Sequence, residues 1–164
     1  MKKMIRFHKP DEEYGFLSNW YLSEFEVTGK KFTSVEQYMM YSKATVFGDD
    51  EVAKKIMESD DVAEIKRLGR QVKGYNESVW NGIRQIVVYY GLVAKFKQNE
   101  ELRQRLIETG NTVLVECAIH DCVWGNGLGM NDKNVDVVDR WRGQNLLGYT
   151  LMMVREVLRD NNET

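Results

Sequence analysis

Leu114-Val-Glu-Cys-Ala-Ile-His-Asp-Cys-Val-Trp-Gly-Asn-Gly-Leu-Gly129 is the stretch that orders the rest of the chain. Its short apolar run, Val113 to Val115, predicts a buried strand. The run leads directly into Glu116, His120, Asp121, Trp124 and three glycines, and no regular periodicity follows. Loops at the ends of rigid strands can aim polar groups, so such a place suits a site. Each glycine alone is equally well explained by a tight turn, so the case depends on the whole chain.

With 164 residues, 43% of them apolar, the chain is long enough to bury a core, and one domain over residues 1–164 is expected. A formal charge of −2 argues against a broadly basic nucleic-acid binder while leaving room for a local basic pocket. Two cysteines, Cys117 and Cys122, point to reduced thiols rather than a disulfide framework, and so to the cytoplasm. Met1-Lys-Lys has no apolar segment behind it to make a signal peptide, and no apolar run reaches membrane-spanning length. The oligomeric state is not readable.

Outward from the central stretch, Met4 to Phe7 predicts a strand, and Phe25 to Thr33 a hairpin turning at Gly29. Tyr14 to Tyr21 mixes core aromatics with the turn residues Gly15, Ser18 and Asn19. It reads either as packing with Asn19 capping a turn, or as a stacking wall with an amide for a planar polar ligand. Ser34 with Gln37 has the form of a capping box opening a helix, with Val35, Tyr38, Met39 and Val46 as its apolar face. Glu36 falls in the first turn, where the helix dipole favours a carboxylate, and shares a stripe with Met40 and Lys43.

Two short helices follow, from about Asp50 to Met57 and from near Asp60, the second burying Val62, Ile65 and Leu68. Arg67, Arg70 and Lys73 make a basic edge from which Arg70 could reach a phosphate. A long helix opens at Asn76 with Trp80, Ile83, Val87, Tyr90 and Ala94 as its stripe, and Arg84 lies one turn after Trp80. Asn99 is expected to cap the next helix, which ends at Gly110. Met130 to Asp139 reads as irregular. The last helix buries Leu147, Leu151, Val154 and Leu158. Arg142 to Asn145 at its start would offer free N–H groups to an anion, or Asn145 is its N-cap. Six helices and a few short strands result.

No dinucleotide-binding or phosphate-loop glycine motif is present, and Gly125-Asn-Gly-Leu-Gly129 has the wrong spacing for either. Two histidines and no C-x-x-C make a structural zinc site unexpected. Cys122 beside His120 would need a mutual geometry that sequence neighbours rarely have. What remains is carboxylates (Glu36, Glu116, Asp121), aromatics (Trp20, Trp80, Trp124), amides (Asn19, Asn145) and cations (Lys43, Arg70, Arg84, Arg142). Carboxylates with aromatic walls suit hydrolysis at a sugar's anomeric carbon, where the transition state carries positive charge.

Eight pieces in one order resemble the YbiA-like or NADAR family. They are Gly15-Phe-Leu-Ser-Asn-Trp-Tyr21, Thr33-Ser-Val-Glu-Gln-Tyr38, Lys43-Ala44, Trp80 with Arg84 and Lys95-Phe96, Leu106-Ile-Glu-Thr-Gly110, Leu114-Val-Glu116, Asp121-Cys-Val-Trp-Gly125 and Gly143-Gln-Asn-Leu-Leu-Gly148. The resemblance runs from about Phe7 to Leu158. It implies a single α+β domain, predominantly α-helical, and hydrolysis of an N-glycosidic bond without metal or other cofactor.

By that resemblance the substrate is a ribosylamino-pyrimidine phosphate of riboflavin biosynthesis, with release of ribose 5-phosphate. ADP-ribose on guanine in nucleic acid is the alternative, and a non-catalytic ADP-ribose or NAD-binding module is a third. The resemblance makes Glu36 and Asp121 the catalytic carboxylates, one stabilising the sugar cation and orienting water while the other helps protonate the base. Trp124 and Gly125 match the same motif as Asp121, and Asn19, Lys43, Trp80, Arg84 and Asn145 match pocket positions. Tyr14, Trp20, Trp80 or Trp124 would stack on the base, and Lys43, Arg70, Arg84 or Arg142 would hold phosphate. Leu22-Ser-Glu-Phe25 and Ala118-Ile119 lack prolines common in the family, a difference that bears on loop shape.

Overall fold

The computed structural model describes residues 3–160, whose elements are six α-helices, four short strands and two 3-10 turns. No helix among these residues is long and apolar enough to cross a membrane. The chain gathers into two compact units, one running from Leu22 to Gln98 and the other combining the residues up to Tyr21 with those from Asn99 onward.

In the unit from Leu22 to Gln98, β2 (Phe25–Val27) and β3 (Lys30–Phe32) pair antiparallel, Phe25 opposite Phe32. Thr28 and Gly29, at φ 49° and 78°, make the turn, whose two positive φ values suit the right-handed twist of the flanking strands. α1 (Val35–Val46) follows, its N-cap Ser34 accepting from the Gln37 backbone N–H. Gln37 does not complete the expected box. Its Oε1 takes the Thr33 N–H at 2.8 Å, and its Nε2 donates to the carbonyls of Ile56 and Ser59. One buried amide therefore fastens the hairpin, α1 and the end of α2 (Asp50–Met57).

Rings seal the hairpin onto α1: Phe25 stacks on Phe32 and Tyr38 meets Phe32 edge-on at 5.1 Å, the offset and T-shaped geometries that ring quadrupoles favour. α1 also packs on α3 (Val62–Gly69) and α4 (Glu77–Gln98). Two expectations need correcting here. Val46 is exposed rather than on the apolar face. On α4 the buried set is Trp80, Val88, Gly91, Leu92, Lys95 and Phe96, while Tyr90 is 56% exposed. Ile83, Val87, Tyr90 and Ala94 lie about one residue out of phase with that face, a rotation of roughly 100°. The polar Lys95 and bare Gly91 hid the true seam.

In the other unit, β1 (Met4–Phe7) pairs in parallel with β4 (Val113–Glu116), Phe7 opposite Glu116. α5 (Glu100–Glu108) precedes β4 and ends at Gly110, φ 64°. Asn99 stands at its N-cap position without a side-chain capping bond. α6 (Leu146–Asp160) buries Leu147, Leu151, Val154 and Leu158 as expected, and packs on β4. Its approach is close enough that a Cβ on Gly148 would stand 2.1 Å from the Leu114 carbonyl oxygen.

Asn145, at φ 49° and fully buried, stands at the N-cap position of α6, its carbonyl accepting from the Tyr149 N–H at 3.1 Å, but its side chain bonds β4 instead of capping the helix. Its Oδ1 accepts from the Glu116 N–H at 2.9 Å and its Nδ2 donates to the Leu114 carbonyl at 3.0 Å. Both groups lie on the β4 edge away from β1, and one amide side chain pairs them in the manner of a strand residue.

Candidate functional site

The Leu22–Gln98 unit supplies Glu36, Lys43, Arg70, Trp80 and Arg84. Ser34 starts α1 so that Glu36 lies in its first turn, 4% exposed. Lys43, on the same stripe, is half-buried: its Nζ donates to the Gly69 carbonyl at 2.8 Å and lies 4.5 Å from the Tyr75 ring centroid. Burial holds its pKa below the ordinary lysine value; the Glu36 carboxylate acts against that, and Arg70 adds to it. Lys43 thus lies within the fields of both Glu36 and Arg70. Arg70 itself is exposed, at the C-cap of α3. Trp80 is buried, and Arg84 bonds Asn81 through Nη1 while its buried Nε makes no hydrogen bond.

The other unit supplies Asn19, Trp20, Asp121, Trp124, Gly125, Arg142 and Asn145. Asn19 follows the 3-10 turn Gly15–Leu17 and is buried, yet its Oδ1 accepts no hydrogen bond from the described residues. A buried amide oxygen left unpaired costs about 1–3 kcal/mol, so this one is open to a water or a ligand. Trp20, next to it, is half-buried.

Asp121 shapes the glycine-rich loop: its Oδ1 accepts from the backbone N–H groups of Val123 and Trp124 at 2.9 and 2.8 Å. This closed turn leaves Oδ2 outside those bonds. Gly125 is required at its end, because a Cβ there would lie 2.9 Å from Asp121 O and 3.1 Å from Glu116 O.

Of the two readings of the start of α6, the one with N–H groups free for an anion meets donors that are already engaged. The N–H groups of Gln144, Asn145, Leu146 and Leu147 donate to the carbonyls of Cys122, Gly125, Val123 and Trp124. A helix N-terminus that sequence alone offers to a ligand is spent on holding the Asp121–Gly125 loop. Arg142 remains an exposed cation beside it.

Glu116, to which the sequence reading gave no role, and His8 stand beside this loop. Glu116, at the end of β4, is 7% exposed, and its Oε1 is 2.9 Å from His8 Nδ1. Burial pushes its pKa up to about 7; the hydrogen bond and charge of His8 oppose this, and Asp121 and Glu12 add to it. Sequence showed only an acid at a strand end and a histidine after another strand. The parallel register that joins them links residues more than a hundred apart, which no local pattern encodes. Both cysteines are free; Cys117 is buried, with its thiol pushed up to about 12, and is chemically quiet. Among the described residues, no group of three His, Cys, Asp or Glu is placed to hold a metal ion.

The NADAR domain model matches residues 6–159, both units together. The chain belongs to the NADAR family. This NADAR chain is 38% identical over 162 residues to an N-glycosidase of Acanthamoeba polyphaga mimivirus, covering 94% of this chain and 95% of that protein. It is 30% identical to the N-glycosidase YbiA of Escherichia coli, covering 94% and 88%. It is also 35% identical to a riboflavin biosynthesis protein of Vibrio vulnificus, covering 98% of this chain and 40% of that longer protein. The NMR structure of E. coli YbiA superposes with a TM-score of 0.82 at 29% identity, covering 98% of this chain and 88% of that one. The predominantly helical α+β expectation holds.

Proposed function

We propose that this NADAR chain is an N-glycosidase that hydrolyses the C–N glycosidic bond of a ribosylamino-pyrimidine phosphate and releases ribose 5-phosphate. The observation that carries this reading lies on α1: a buried carboxylate, Glu36, shares its field with the half-buried ammonium of Lys43, with Arg70 close by and the Tyr75 ring beneath Lys43. A carboxylate can stabilise the cationic sugar of an oxocarbenium-like transition state, and paired cations can hold a phosphate. The similarity to N-glycosidases over nearly their whole length supports the bond type, and the riboflavin-biosynthesis relative supports the substrate class.

Glu36, in the Leu22–Gln98 unit, is assigned to stabilising the developing cation and orienting water; by the resemblance Asp121 is the second catalytic carboxylate, and Asn19 Oδ1 and Trp124, of its own unit, are assigned to the base. Turnover of a ribosylamino-pyrimidine phosphate tests this by chromatography of the released base and sugar. Glu36→Gln and Asp121→Asn should each lower kcat by about 100-fold or more. Undiminished turnover in both folded variants would overturn the assignment. Release of ADP-ribose from modified guanine, without turnover of the pyrimidine, would move the chain to the alternative substrate class.

A further inference from the structure

The parallel register that sets Phe7 beside Glu116 brings the next residue, His8, to the carboxylate at the end of β4. The pair is divided by solvent: the Glu116 side chain is 9% exposed and the His8 side chain 43%. Nδ1 faces Glu116, while Nε2 has no hydrogen-bond partner among the described residues. A buried carboxylate behind an imidazole fixes its tautomer and turns the other nitrogen outward, the arrangement used wherever histidine moves protons.

The setting is the Asp121 loop itself. The main-chain oxygens of Glu116 and Asp121 both lie within 3.1 Å of the place a Gly125 Cβ would occupy, and the Asn126 N–H donates to Glu116 O at 2.8 Å. The charged groups around the pair are few. Glu12 favours the imidazolium, Lys9 opposes it, and the charge of Asp121 works against ionisation of Glu116. Arg6, from β1, is engaged with Asp136.

We propose that His8, oriented through Nδ1 by Glu116, is the proton donor to the departing base, with Glu116 as its positioning residue. The inference rests on the N-glycosidase reading above. As the C–N bond breaks, its electron pair goes to the base nitrogen, which takes the proton from Nε2. Water adds to the anomeric carbon and gives its proton to a carboxylate, and solvent exchange returns a proton to His8. The hydrogen bond to Glu116 raises the His8 pKa above its ordinary 6.5, against burial, so the imidazolium persists towards neutral pH.

Two measurements on the full chain test this. The first is an NMR titration of the imidazole carbons. The chain has two histidines, so His8→Gln assigns the signals. The His8 midpoint should lie above that of a free imidazole and fall in Glu116→Gln. The second is the pH dependence of kcat/KM on the ribosylamino-pyrimidine phosphate.

The wild type should lose activity on the alkaline side with the His8 midpoint. His8→Gln should lose that limb and about 100-fold in rate, and Glu116→Gln should shift the limb to lower pH by the amount the NMR midpoint moves. A uniform drop in His8→Gln with the limb unchanged, at equal thermal stability, would make the pair a strand fastening and overturn the proposal. An unraised His8 midpoint in an active wild type would overturn it as well. A wild type inactive on both the pyrimidine and ADP-ribosyl-guanine substrates would instead sink the N-glycosidase reading and take this inference with it.

Discussion

Replacing Glu116 by Gln isolates the cost of a charge at the end of β4. Burial takes this carboxyl from an ordinary 4.5 up to about 7, even with His8 bonded to it. A folded-state value above the unfolded one means that the native chain binds the proton more tightly. The stability belonging to Glu116 is therefore fully present below pH 4.5 and lost as pH rises through about 7. At about 1.36 kcal/mol per pH unit, the ionised form costs roughly 3 kcal/mol relative to the protonated one. The His8 value is raised too, so its contribution has the same sign: present in acid and lost as pH climbs past its folded value. Gln keeps the shape and cannot ionise. Urea unfolding of wild type and Glu116→Gln at about pH 5 and about pH 8.5 measures the difference. The variant should be close to wild type in acid and gain on it by about 2–3 kcal/mol in alkali. A gap that stays constant within about 0.5 kcal/mol across that range would refute the reasoning.

Further outcomes follow from other contacts. Asn145→Ala strips two buried backbone groups of β4 of their partners and should cost about 2–5 kcal/mol in chemical unfolding. Gly148→Ala forces a Cβ onto the Leu114 carbonyl and should destabilise by about 2 kcal/mol or more. Gly82→Ala, in α4 with nothing near its would-be Cβ, should instead stabilise by up to about 1 kcal/mol; thermal melts of the two variants show whether the signs differ. Lys43→Met should raise KM for the phosphorylated substrate by about tenfold and leave a dephosphorylated analogue nearly unaffected; equal effects on both would remove Lys43 from phosphate binding.

What sequence made legible was local. Alternation around Gly29 read as the hairpin, Ser34 as a cap, and the 147–158 stripe as a buried helix face, because turn, cap and period are written in neighbouring residues. The α4 seam was misplaced because its buried face carries Lys95 and Gly91, while Tyr90 lies in water. Hydrophobicity alone reports the wrong side of such a helix.

At the candidate site, sequence and resemblance together picked out Asp121 as a loop residue and Glu36 as a first-turn acid. The role of Asn145 needed a contact between residues 29 and 31 positions apart. The His8–Glu116 pair needed one across 108 positions. The same holds for the α6 N-terminus, whose donors looked open until the folded loop was seen to occupy them.

The amide of Asn145 has one more consequence. A two-stranded sheet presents an outer edge of unpaired groups, a template on which another chain can add a strand. On β4 that edge is closed from within: Leu114 O and Glu116 N–H are held by Asn145, and Glu116 O by the Asn126 N–H. The amide is in effect a strand one residue long, too short to be extended by a neighbour. Its loss would leave Leu114 O and Glu116 N–H without their partner beneath α6, whose Gly148 stands against the same carbonyl.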